Sequence, residues 1–110
     1  MEISLDKEKN YSVIKIKGDV DLYSSPQLRT QILVLANKKS NRILVDFLEV
    51  NYMDSSGVAT LVEALQLTNK NGGKLRLFNL KQPIKDVFEL SRLDRVFEIF
   101  ENEGQALDGI

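Results

Sequence analysis

The chain has 110 residues, 43% apolar and 28% charged, the balance of an ordinary folded domain with room for one sheet-and-helix core. Lys and Arg number 15 against 16 Asp and Glu, a net charge of −1, so no overall field draws it to nucleic acid or an anionic membrane, although a local patch is left open. It has no cysteine and no histidine, which excludes disulfides, Cys/His zinc sites and Ser-His or Cys-His catalytic pairs, and no apolar run reaches membrane-span length.

Residues 3–7 read as a weak first strand, joined through Lys9-Asn10 as a hairpin to Tyr11–Lys17, where Ile14 and Ile16 face one way and Lys15 and Lys17 the other. Gly18-Asp19-Val20-Asp21 breaks the pattern. Pro26 suits a first helical turn, and Leu28, Ile32, Leu35 and Ala36 recur at helical spacing, so the next helix spans about 24–38. Arg42–Phe47 is a nearly continuous apolar run, as expected of a central parallel strand covered on both faces. After Asp54-Ser55-Ser56-Gly57, the stripe Val58, Leu61, Val62 and Leu65 traces a helix to about Asn69, and Asn71-Gly72-Gly73 stops it. Lys74–Phe78 alternates as a strand. Ile84, Val87, Phe88 and Ser91 follow Pro83 at helical spacing, Val96–Phe100 is a last short strand, and 103–108 is a candidate terminal helix. The order β-β-α-β-α-β-α-β predicts one α/β domain over 1–110, with a mixed, mostly parallel sheet of about five strands and right-handed crossovers. With no leader-like segment at Met1–Lys7, the expected location is cytoplasmic.

Functional groups of open α/β sheets gather beyond the carboxyl ends of the parallel strands, where Asp54-Ser55-Ser56-Gly57 falls. A hydroxyl in the first turn of a helix can carry a phosphate whose charge the unpaired N–H groups and the helix dipole partly offset, and Gly57 would leave nearby backbone open to another protein's active site. Asp and Ser at that place are also the preferred N-caps, a role adding about 1 kcal/mol with no further function, and by spacing alone the cap is the more ordinary explanation. A serine hydrolase is a poorer explanation still, since the chain has no G-x-S-x-G elbow and no histidine to act as base. Asp19 and Asp21 could hold Mg²⁺ or serve a turn and cap. Together with Asp46 and Lys81 they suggest a phospho-aspartate receiver, a weak reading because Asp46 lies within the apolar run. Lys38, Lys39 and Arg42 read as a solvated turn, and Gly72-Gly73 matches no phosphate-binding loop.

The segment Ile43–Phe47, Tyr52–Leu61 resembles the signature of the anti-sigma-factor antagonists of the STAS superfamily. Gly18-Asp19-Val20-Asp21 is similar to that family's Gly-x-x-Asp turn, and Gly72-Gly73-Lys74-Leu75 to its turn into the next strand. The resemblance implies a STAS fold with helices mainly on one side of the sheet, no cofactor, no metal and no catalysis by the chain itself. It implies binding to an anti-sigma factor with an ATP-binding serine kinase domain, ended by phosphorylation of Ser56 (Ser55 as fallback) and restored by a PP2C-type phosphatase. Asp21, Asp54, Ser55, Ser56 and Gly57 match positions at the partner interface. Neither nucleic acid nor membrane is expected as a partner. A lipid-transporter STAS subunit is the alternative, with the receiver behind it. Many members carry a second glycine where this chain has Ala59, which implies altered affinity without loss of the switch.

Overall fold

A computed structural model describes residues 1–110. Strands β1 (Glu2–Lys7) and β2 (Ser12–Lys17) form the opening hairpin. Helix α1 (Ser25–Ala36), β3 (Arg42–Glu49), α2 (Ser55–Lys70), β4 (Lys74–Phe78) and α3 (Gln82–Leu90) alternate after it. A 3₁₀ turn (Leu93–Arg95), β5 (Glu98–Phe100) and the short α4 (Glu103–Leu107) complete the chain. The five strands lie in the order β1-β2-β3-β4-β5, and only the β1–β2 pair is antiparallel. Because this order never reverses, right-handed crossovers must all land on the same face of the sheet. Hence α1, α2 and α3 form a single layer.

Strand parity decides what that layer covers. Ile14 and Ile16 of β2, Ile43, Val45 and Phe47 of β3, and Leu75 and Leu77 of β4 meet Leu28 and Ile32 of α1, Leu61 of α2, and Ile84 and Phe88 of α3 in one buried core. Each such side chain contributes about 1.5–3 kcal/mol on burial. Residues of the other parity, Val13, Leu44 and Phe78, form a smaller cluster with Ala106 of α4 on the opposite face. The apolar run of β3 is therefore covered on both sides, as its sequence predicts. A helix as short as α4 does not hold itself together. Arg76 holds it, donating from one terminal nitrogen to the carbonyls of Ala106 (2.9 Å) and Asp108 (2.7 Å) and from Nε to Glu98 (2.9 Å).

Two expectations need correction. Val96 and Phe97 lie outside β5, because their amides donate to Leu93 in a tight turn that sets Phe97 edge-on to Phe88, ring centroids 5.3 Å apart. Ser91, placed at helical spacing by the sequence, falls outside α3 as its C-cap. It is exposed just past the helix end, and its hydroxyl donates to the Val87 carbonyl (2.8 Å). No helix is long and apolar enough to cross a membrane.

Candidate functional site

The loops leaving β2 and β3 are laid side by side by backbone bonds. Gly18 N–H donates to Glu49 (3.0 Å), Val20 N–H to Tyr52 (2.9 Å), and Asp54 N–H to Val20 (3.1 Å), which continues the parallel ladder as a Val20–Met53 bridge. Asp21 and Asp54, 33 residues apart in the chain, therefore leave the sheet at the same edge. Val20 and Met53 are buried beneath the two loops and anchor them to the core.

Asp54 is the N-cap of α2. Its backbone is extended and its Oδ1 accepts the Ser56 amide at 2.9 Å. The capping role is thus filled by the carboxylate, and neither serine performs it. Ser55 is exposed and Ser56 half-buried, and neither hydroxyl is used in a hydrogen bond within the chain. Of the first-turn amides, that of Ser56 is committed to Asp54, while those of Ser55 and Gly57 have no acceptor in the chain. A phosphate on Ser56 would therefore sit on a partly satisfied helix start, with Asp54 as a negative neighbour.

Gly57 has a different structural reason from the one its sequence suggests. It is buried, and a Cβ there would lie 2.6 Å from Val20 Cγ1 and 2.8 Å from Met53 Cγ. The missing side chain faces inward, letting α2 start close against the joined loops, rather than exposing backbone to an approaching protein. Ala59, two residues further on, faces solvent.

Asp21 organises its own loop. Its Oδ1 accepts the amides of Tyr23 (3.0 Å) and Ser24 (2.9 Å), and the Ser24 hydroxyl accepts the Asp21 amide (2.9 Å) and donates to the Asp19 carbonyl (2.8 Å). The Ser24 amide, aided by the Ser24 hydroxyl and the Tyr23 amide, holds the Asp21 carboxyl below the usual carboxylate range against a partial desolvation cost. The turn-forming role is the one realised, and Oδ2 is left without a partner in the chain.

The receiver-like grouping does not assemble. Asp46 is buried in β3 on the face away from α1 and α2, where its Oδ1 accepts the Leu48 amide (2.9 Å) and the Asn79 side-chain amide (3.1 Å). Lys81 donates to Asn51 instead. Asp19, Asp21 and Asp46 form no cluster able to hold a cation.

Sequence reasoning missed the large apolar groups exposed on the two joined loops. Tyr23 is 90% exposed, Leu22 66% and Tyr52 52%. Two belong to the Asp21 loop and one to the Asp54 loop. The signal was present in the chain, since Leu22 and Tyr23 fall outside the Leu28-Ile32-Leu35 stripe of α1 and so had no core position to fill.

The STAS domain family model matches residues 2–106. The anti-sigma-B factor antagonist of Bacillus subtilis is 31% identical over 101 residues, spanning 90% of this chain and 92% of that protein. Among solved structures, an anti-sigma factor antagonist from Mycobacterium paratuberculosis superposes with a TM-score of 0.86 at 21% identity, covering 99% of this chain and 92% of the other. SpoIIAA superposes in its unphosphorylated form with a TM-score of 0.74 at 21% identity, covering 99% of this chain and 100% of that one. The phosphorylated form, described as a Bacillus cell fate determinant, gives 0.72 at 23%, covering 97% of both chains. At these identities the structural likenesses establish the fold. With the family match running from residue 2 to 106 and the Bacillus subtilis relative 31% identical, the chain belongs to the STAS domain family, among the anti-sigma factor antagonists.

Proposed function

We propose that this protein is a cytoplasmic anti-sigma factor antagonist whose binding edge is the paired-loop surface carrying Asp21, Asp54, Ser55 and Ser56, with Gly57 seating the start of α2 beneath it. Unmodified, it binds an anti-sigma factor with a serine kinase domain and frees the sigma factor. The kinase phosphorylates Ser56 and ends the complex, and a PP2C-type phosphatase restores it. The chain contributes a substrate hydroxyl and a docking surface, and performs no chemistry of its own. The observation that carries this reading is the hydroxyl of Ser56, half-buried at the start of α2 and released from capping by Asp54.

The joined loops contribute in two ways. Their backbone ladder presents the serines on a rigid edge, which limits the ordering cost of association. Tyr23, Leu22 and Tyr52 supply large exposed apolar surface on the same two loops, and Tyr is among the residues that dominate binding energy at interfaces. Incubation with the cognate kinase and ATP, followed by mass-spectrometric mapping, should place the phosphate on Ser56. Label on Ser55 alone, or on neither serine, would overturn the assignment. Tyr23→Ala should weaken binding to the anti-sigma factor by about 30-fold, as loss of an interface aromatic often does. Its thermal unfolding should be unchanged, because so exposed a ring carries almost no packing. Unaltered affinity in a calorimetric titration would remove the Asp21 loop from the interface.

A further inference from the structure

At the end of the sheet opposite Ser56, the β1–β2 turn and the α1–β3 connection flank an open surface cavity of about 300 Å³. Its walls are residues 8–12 and 38–42, and Tyr11 is the one apolar side chain among them. Four of these residues, Lys9, Lys38, Lys39 and Arg42, are cations, against the single carboxylate of Glu8. That is a strong local excess in a chain whose net charge is −1. The three ion pairs of the protein involve Arg29, Arg76 and Lys85, so none of the four cations is neutralised within the chain.

Two further observations bear on Arg42. Its Nε is buried and has no acceptor, a state that costs free energy and is rare in native proteins. Lys74 of β4 lies directly across from it in the parallel register, so two like charges share one face of the sheet. Such a pair is destabilising unless something of opposite charge relieves it. The rim is held firmly. Ser40 takes a left-handed backbone (φ 55°) and its amide donates to Asn71 (2.8 Å), while Asn41 donates its side-chain amide to Leu35 (2.8 Å) and accepts the Lys74 amide (3.0 Å).

We propose that this cavity is a binding site for a small, multiply charged phosphate compound. A modest swing of the Arg42 side chain would bring its fork onto two oxygens of one phosphoryl group, and Lys9, Lys38 and Lys39 would surround the remaining charge. The volume lies at the lower end of small-ligand sites, and the polar lining suits an anion rather than an apolar ligand. The cations converge on a concavity instead of spreading along a face, which favours a compact ligand over a nucleic acid or a membrane.

The test uses the full-length protein and sodium pyrophosphate, followed by calorimetry and by amide chemical shifts, with sodium chloride at matched ionic strength as control. Saturable binding is expected, with shifts confined to 8–12 and 38–42. Substituting Lys38→Ala and Lys39→Ala together, both on an exposed turn, should weaken it about tenfold, and Arg42→Gln at least as much. Ser56→Ala, at the other end of the sheet, should bind pyrophosphate normally. Shifts reproduced by sodium chloride, affinity that survives both sets of substitutions, or displacement of pyrophosphate by a short RNA or by anionic vesicles at lower concentration would each overturn the proposal.

Discussion

Replacing Ser56 with Asp should raise the Kd for the anti-sigma factor by a few hundredfold, a loss of about 3–4 kcal/mol, while Ser56→Ala should leave it within about threefold of the parent. The asymmetry follows from the local geometry. Ala removes a hydroxyl that makes no hydrogen bond within the chain, so the fold loses nothing. Asp places a second carboxylate beside that of Asp54, on a helix start whose Ser56 amide is already taken. A phosphate, carrying about −1.5 to −2 charges at neutral pH, intensifies the same effect.

The helix cannot relieve the repulsion by shifting, because Gly57 in its first turn is packed against Val20 and Met53 with no space for even a methyl group. The charge is therefore expressed at the surface, where the partner must dock. The circular dichroism spectrum should stay constant, and the midpoint of thermal unfolding should move by no more than a few degrees. Weakened binding accompanied by unfolding would mean that the substitution acts on the fold, and the surface account of the switch would then be wrong.

Gly73→Ala should be the most damaging single-methyl change in the molecule. Its Cβ would lie 2.1 Å from the Asn41 carbonyl oxygen and 3.0 Å from the Asn41 amide nitrogen, both backbone atoms in the strand entrance beside it. A side chain in the way can rotate, but backbone already bonded to Lys74 must move with β3 itself. Overpacking of this kind costs about 3 kcal/mol, a fall of roughly 10–20 °C in Tm for a chain of this length, measurable by scanning calorimetry. Gly72→Ala is the informative comparison. Gly72 has φ +74° and closes α2 through the paired bonds of Gly72 to Asn69 (3.2 Å) and Gly73 to Thr68 (2.9 Å), yet its Cβ would meet nothing closer than 3.8 Å. Its cost is conformational, about 1 kcal/mol. If the two variants proved equally stable, close approach at Gly73 would not be what demands glycine there.

These glycines also mark how far the chain could be read without its fold. Gly72 was legible as a helix stop, since a left-handed residue after a helix is a local requirement met by a local preference. Gly57 and Gly73 were not, because what excludes a Cβ there is Val20, Met53 and Asn41, residues brought close only by the sheet. The same division runs through the site. The position of Asp54-Ser55-Ser56-Gly57 between an apolar strand and an amphipathic helix followed from periodicity alone. Which of three polar side chains caps the helix did not, because Asp and Ser are equivalent by preference and are separated only by geometry.

The amino-acid sequence by itself determined the elements, their order and the alternation that demands a mostly parallel sheet, because hydrophobic spacing is a property of neighbours along the chain. It also carried the resemblance on which the function rests. Only the tertiary structure decided the rest. An unreversed strand order put three helices on one face and left α4 to be held by Arg76 on the other. The Val20–Met53 bridge joined two loops 33 residues apart into one edge. Tyr23 and Leu22 became surface rather than core, and four unpaired cations met around a single cavity. Each of these is a contact between distant residues, and its energy depends on distances that no local pattern contains.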